Sequence, residues 1–187
     1  MESYKTLPQN YKKRLQLNLE TDKHLRRGIA FSGAWIWLIM LYCGNRIQPI
    51  RRYFRGDLHQ VAYVFLVILL YMILHEMVHG AFMHMIGRER AKLGFHGPFT
   101  YASSPVYFLK FQYLVIALAP FLILGTLLAV LSQIYLRTDW FWTFYFVEIV
   151  NITGAVSDLY VVLKFLKLPA NILVRDMGTS IVVYEKG

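Results

Sequence analysis

The sequence predicts an all-α membrane protein: a bundle of four transmembrane helices with a small β element at its cytoplasmic face. Of its 187 residues, 57% are hydrophobic and only 17% are charged, which leaves too little polar surface for a domain in water. Four apolar runs each approach the roughly 20 residues that a helix needs to cross a bilayer. Most Lys and Arg residues fall outside those runs, where membrane proteins carry them.

The four runs also set the predicted domain organisation. Residues 1–27 form a basic segment, expected in the cytoplasm or along the membrane surface, and residues 28–187 are expected to form one membrane domain with a cytoplasmic C-terminal tail. The predicted transmembrane helices are 28–44, 60–86, 111–136 and 141–166. Pro120 lies inside the third run and is expected to kink its helix.

The Lys and Arg count favours an orientation with both termini in the cytoplasm. Fifteen of these residues lie in the N-terminal segment, between runs two and three, and in the tail, whereas five lie in the other two connections. Four of those five are arginines between runs one and two, and they oppose this orientation. A net charge of +9 is compatible with nucleic-acid binding. The Lys and Arg residues lie mainly between the apolar runs, however, which favours the lipid bilayer as the partner. No nucleic-acid partner is expected.

Cysteine usage limits the possible metal chemistry. Cys43 is the only cysteine in the chain. It excludes an intramolecular disulfide framework and any metal site built from cysteines alone.

The second run contains the residues that indicate catalysis, His75-Glu76-Met77-Val78-His79. Histidines four residues apart project from one helix face and can bind one zinc ion. Glu76 is the carboxylate that acts in this pattern as general base toward water. Three ionisable side chains so close together are costly in a transmembrane helix, which indicates function. The alternative is a helix end near the interface, with Glu76 paired to an arginine.

A catalytic zinc site needs a third protein ligand and an open coordination position. His84 lies nine residues after His75, about half a turn round the helix, and therefore points away. His96 is expected in a loop. The remaining candidates are the two acids of the fourth run, Glu148 and Asp158.

Depth in the membrane distinguishes these two acids. Runs two and four cross in the same direction, and both the histidine pair and Asp158 lie about 25 Å from the start of their runs. Glu148 lies only about 10 Å in. Asp158 is therefore the predicted third ligand. Asn151 precedes it by two turns on the same face and is predicted to point into the same cleft.

These residues resemble the site-2 protease class of intramembrane zinc metalloproteases, which combine the histidine motif with a downstream Asn and Asp. The chain is more similar still to a small bacterial four-helix family of zincin peptidases, from about Asp57 to Tyr184. The features of that family are the histidine motif, an Asn-xx-Gly…Asp-Leu stretch, and a tail like Leu168-Pro169…Arg175-Asp176-Met177-Gly178-Thr179. Two residues depart from the site-2 pattern, because Gly154 replaces a proline and Leu159 replaces a glycine.

The resemblance implies a zinc-dependent metalloendopeptidase with one zinc ion per chain. His75, His79 and Asp158 would hold the zinc, and Glu76 would activate water. Asn151 would hydrogen-bond the substrate or the developing oxyanion, and an interhelical hydrogen bond is an equally open role for it. The implied partners are the bilayer and a membrane protein or peptide substrate. The alternative functions are a catalytically silent zinc-binding protein of interaction or chaperone-like type, and hydrolysis of a lipid-linked substrate.

A short hairpin is predicted after the histidine helix, because apolar residues alternate on both sides of Gly97-Pro98: Leu93, Phe95, Phe99 and Tyr101. In site-2 proteases a strand at this place pairs with extended substrate, and the resemblance implies the same role here. The alternative is an ordinary cytoplasmic loop. Ile181–Tyr184 is also strand-like and is expected to pair with the hairpin.

Overall fold

A computed structural model of the chain describes residues 3–18, 21–53, 58–96 and 99–187. Its helices are α1 (Lys23–Ile47), α2 (Leu58–Gly87), α3 (Lys110–Ile134), α4 (Trp140–Gly154) and α5 (Val156–Leu166). Within the described residues, four helical segments are long and apolar enough to cross a membrane: α1, α2, α3, and α4 continued by α5. The bounds of these four segments lie within five residues of the bounds of the four predicted runs.

The largest difference is at the start of α1, which begins at Lys23 and not at Gly28. Asp22 caps this end, since its side chain accepts hydrogen bonds from the backbone N–H groups of His24 and Leu25, both at 3.0 Å. The apolar run starts later than the helix because the first turn carries basic residues. An apolar count therefore misses that turn.

The strands form two separate antiparallel sheets. The strands are β1 (Tyr11–Asn18), β2 (Lys92–His96), β3 (Phe99–Ser103), β4 (Phe108–Leu109), β5 (Ile172–Asp176) and β6 (Ser180–Lys186). One sheet has the order β1-β6-β5-β4, and β2 pairs with β3 in the other. The predicted hairpin is therefore present, although Gly97 and Pro98 themselves lie outside the described residues.

The expected pairing of Ile181–Tyr184 with this hairpin is wrong. These residues belong to β6, whose two edges are occupied by β1 and β5. The basic N-terminal segment thus supplies a strand to the sheet, and Leu17 in β1 is buried. Because β1 and β6 are neighbours, both ends of the chain lie at the same end of the bundle.

Buried apolar clusters lie at successive levels along the bundle. The first joins the four-stranded sheet to the helices and includes Phe108, Phe165, Ile172, Val183 and Met83. A second is formed by Tyr71, Leu124, Leu128 and Val147, and another by Tyr53, Val64, Phe141 and Trp142. The histidines of α2 lie between Tyr71 and Met83 in sequence. They therefore sit at the boundary between the first and second clusters.

The fourth apolar segment is not one continuous helix, because regular α geometry stops between α4 and α5. Ala155 has ψ −7°, and its N–H still bonds to the carbonyl of Asn151 at 3.0 Å. Gly154 directly precedes it, and glycine is a poor helix former. The interruption places Asp158 in the first turn of α5. A helix N-terminus favours a negative charge at that position.

Candidate metal centre

Three side chains from two helices converge at one point. Ligand atoms of His75, His79 and Asp158 all lie within 4.8 Å of one another. Nε2 of His75 is 3.4 Å from Asp158 Oδ2, and Nε2 of His79 is 3.6 Å from the same oxygen. The two imidazole side chains are 12% and 11% exposed, against 25% for the carboxylate. The group is therefore largely enclosed but open on the side of Asp158.

The ring of His75 is oriented by a hydrogen-bond chain that reaches α4. The Tyr71 hydroxyl donates to Asn151 Oδ1 at 2.7 Å and lies 3.0 Å from His75 Nδ1. Its single proton is committed to Asn151, so the hydroxyl accepts from Nδ1–H of His75. That tautomer leaves the lone pair of Nε2 free and directed at Asp158.

The ring of His79 is oriented from α3. Its Nδ1 lies 3.0 Å from the backbone carbonyl oxygen of Ile116. A carbonyl only accepts, so Nδ1 of His79 is the protonated nitrogen and Nε2 again keeps its lone pair. Second partners of this kind fix the tautomer and direction of histidine ligands in metal sites.

The donor set fits zinc. Two imidazole nitrogens and one carboxylate oxygen are ligands that zinc accepts, and three protein ligands leave one position open, as catalytic zinc sites require. Both Nε2 atoms converge on the carboxylate with their lone pairs available. The residues present therefore suit a bound zinc ion.

Glu76 lies in the same turn of α2 but is not part of the three-ligand group. The hairpin runs alongside α2 at this level: Thr100 Oγ1 lies 3.5 Å from the carbonyl oxygen of Met72. One turn after Glu76, α2 packs closely on β2, because a Cβ on Gly80 would lie 3.2 Å from Leu93 Cδ2. Strand β3 therefore borders the centre beside Glu76.

Asn151 is linked to the centre through the Tyr71 hydroxyl, and Glu148 contacts Asn151. Asn151 is fully buried, and its amide lies between the Tyr71 hydroxyl and Glu148 Oε2, which is 3.4 Å from its Nδ2. Gly125 of α3 makes room for this amide, because a Cβ there would lie 2.7 Å from Asn151 Nδ2. Direct contact of Asn151 with a substrate stays a prediction. Its contacts are those of an interhelical hydrogen bond that supports His75.

A further carboxylate, Asp176, is buried at the end of β5, directly before the turn to β6. Asp176 accepts hydrogen bonds from the hydroxyl of Tyr113 and from the N–H of Gly178, the latter at 2.8 Å. Burial raises the pKa of Asp176 from 3.8 to about 6. The turn also contacts the hairpin, because the N–H of Ser104 bonds to the Asp176 carbonyl at 3.1 Å and the Tyr101 ring packs on Gly178.

The structure thus brings together the three predicted ligands, with Glu76 beside them and Glu148 elsewhere. Their roles as ligands and base remain predictions. Sequence reasoning missed the groups that orient the two histidines: the Tyr71 hydroxyl and the Ile116 carbonyl. Tyr71 carried a signal, since it lies four residues before His75 on the same face of the helix.

The fold and the site together define a class: a predominantly helical protein with a His-His-Asp group that could hold a metal ion. Comparison with protein families makes this more specific. The chain belongs to the family described as "Putative zincin peptidase", whose model matches residues 68–173, more than half of the chain. Membership of this family suggests a zinc metallopeptidase. No curated protein and no solved structure matched the chain.

Proposed function

We propose that this protein is a membrane-embedded zinc metalloprotease that cleaves peptide bonds of membrane-associated proteins, in the manner of site-2 proteases. The observation that carries the proposal is the convergence of His75, His79 and Asp158 within 4.8 Å, with Glu76 in the same helical turn. A structural zinc site has no need of such a carboxylate, whereas hydrolysis requires a base.

The surface of the helices supports a position in the bilayer. Large apolar side chains on them are more than half exposed, among them Phe31, Leu70, Leu122 and Ile134. Soluble monomeric proteins rarely present so much contiguous apolar surface. Lipid chains would cover these side chains.

The chemistry divides between the metal and the side chains of the protein. Zinc supplies Lewis acidity, which polarises a substrate carbonyl and makes water more acidic. The Glu76 carboxylate takes the proton from the attacking water and can deliver it to the leaving amine.

Strand β3 offers a way to present the substrate. It pairs with β2 and lies alongside α2 one turn before Glu76, where Thr100 Oγ1 is 3.5 Å from the Met72 carbonyl oxygen. An extended peptide that adds to a strand edge makes backbone hydrogen bonds without regard to its sequence. A substrate segment added beside β3 would bring its backbone close to Glu76.

We place the active site near the cytoplasmic leaflet. The adjacent strands β1 and β6 put both chain ends on one side, and the fifteen-to-five distribution of Lys and Arg favours the cytoplasm for that side. His79 precedes the end of α2 at Gly87 by eight residues, which is about 12 Å along the helix.

The test is a comparison of Glu76→Gln with the wild-type protein in cells that lack the chromosomal gene. The amide keeps the size of the side chain and loses its basicity. We expect the purified variant to hold about one zinc per chain, as the wild type does, while its substrate accumulates uncleaved in the membrane proteome. Glu89→Gln is the matched control, because Glu89 lies beyond α2 and pairs with Lys5 at the surface.

Two outcomes would contradict the proposal in different ways. Wild-type protein without zinc would refute the metal centre. A Glu76→Gln variant that binds zinc and restores every phenotype of the deletion strain would refute hydrolysis, and would favour a catalytically silent zinc-binding protein.

A further inference from the structure

The backbone of α3 has one carbonyl that its own helix does not need. In an α-helix the carbonyl of Ile116 would accept from the N–H of residue 120. Residue 120 is proline, the only proline inside a helix among the described residues, and it has no N–H. The Ile116 carbonyl instead lies 3.0 Å from His79 Nδ1.

We propose that Pro120 is a positioning residue of the metal centre, and that it acts by keeping the Ile116 carbonyl available to His79. The proposal rests on the metal centre proposed above. By this account Pro120 is more than a kink in the third helix, because the N–H that it lacks determines which nitrogen of His79 is protonated.

The surroundings exclude simpler partners for the two groups. Counted over the whole residue, Ile116 is 1% exposed and His79 is 9% exposed, and Pro120 is buried. Water has little access to either group, so an unpaired carbonyl or ring N–H would carry the cost of a buried unsatisfied group. The proline ring also clashes with the carbonyl four residues earlier, which favours turning that carbonyl away from the helix axis. Both effects direct the Ile116 oxygen to His79.

The consequence for the metal follows from the tautomer. While Nδ1 of His79 donates to Ile116, its Nε2 presents a lone pair toward Asp158, 3.6 Å away. An alanine at position 120 would restore the N–H, and this N–H would compete with His79 for the carbonyl. Loss of a supporting hydrogen bond of this kind typically lowers metal affinity by about 10–100-fold.

The experiment compares three full-length proteins in detergent: wild type, Pro120→Ala, and a backbone ester with lactic acid, the α-hydroxy analogue of alanine, at position 120. The ester has no proline ring, but like proline it has no N–H. Zinc affinity is measured by competition with a chelator. We expect Pro120→Ala to bind zinc about tenfold more weakly than wild type. The ester should bind within about twofold of wild type.

Each result decides the role of the missing N–H. Unchanged zinc affinity in Pro120→Ala would overturn the proposal, and an ester that is as weak as Pro120→Ala would assign the effect to the proline ring or the kink.

A second readout needs only the wild-type protein, and therefore remains available if Pro120→Ala fails to fold. We expect the Nδ1 proton of His79 to give an NMR signal protected from exchange with water, unlike that of the exposed His24. A His79 Nδ1 proton that exchanges as freely as that of His24 would overturn the contact itself. Wild-type protein that shows the protected signal but binds no zinc would refute the proposed metal centre and leave the contact with Ile116 supported.

Discussion

The hydroxyl of Tyr71 on α2 donates to the side-chain oxygen of Asn151 on α4 at 2.7 Å. Through this bond a buried amide in one helix determines the protonated nitrogen of His75 in another. The His79 side is held differently, by a backbone carbonyl of α3. The centre is thus supported from two helices, α3 and α4, that contribute none of its ligands, and each support can be removed separately.

Tyr71→Phe removes the acceptor of His75 Nδ1–H and leaves the ring packing in place. We expect the variant to fold normally and to bind zinc about tenfold more weakly, because His75 loses its fixed tautomer. Zinc affinity is measured by chelator competition. Tyr63→Phe is the control: it removes the same hydroxyl from the same helix, two turns nearer its start. Equal affinities in the two variants would show that the Tyr71 bond does not support the metal.

Asp158→Ala and Glu148→Ala separate the two membrane acids. Removal of Asp158 takes away one of three ligands, so zinc retention should fall by more than the roughly 10–100-fold that a lost supporting residue costs. Glu148 contacts only the amide of Asn151 among the hydrogen bonds described, at 3.4 Å, and its loss should change zinc retention severalfold at most. Metal content after dialysis against a chelator gives the ranking. The reverse order would exclude Asp158 as a ligand.

The helices could be predicted from the sequence because lipid-facing helices are apolar on most of their surface, and long apolar runs reveal them. The strands could not be paired in the same way. Strand β1 alternates only weakly, with Leu15 and Leu17 among basic residues, and its partner β6 lies at the other end of the chain. Long-range pairing depends on how the helices bring these ends together. No local pattern contains that information.

The site, like the fold, has residues that a local pattern predicts and others that depend on how the helices pack. The spacing of His75 and His79 is local, and equal depth in two parallel helices points to Asp158, the residue that the structure brings to them. The Ile116 carbonyl could not be found, since every residue has a carbonyl and only the packing of α3 on α2 selects this one. Pro120 was the available signal, but a proline in a helix predicts a kink more readily than a hydrogen-bond partner.

Cys43 tests the orientation in the membrane. It is exposed and lies four residues before the end of α1 at Ile47, on the side opposite the chain ends. With both termini in the cytoplasm, a membrane-impermeant thiol reagent should label Cys43 in intact cells. As a control, Lys186→Cys in a Cys43→Ser background should be labelled only after the cells are opened. Labelling in the opposite pattern would reverse the orientation.

Asp176 makes stability depend on pH in a predictable direction. Burial raises the pKa of Asp176 from 3.8 to about 6 in the folded protein, so the fold favours the protonated acid. The unfolded chain binds fewer protons than the folded one between these values, and stability therefore falls as the pH rises from about 4 to about 6. Complete ionisation costs on the order of 2–3 kcal/mol. Asp176→Asn cannot ionise and should not show this loss. We expect the thermal midpoint of the variant in detergent to rise relative to wild type across that range and to level off above it. Parallel midpoints of the two proteins from pH 4 to pH 7 would mean that Asp176 is charged in the fold, with Tyr113 and Gly178 compensating for its burial.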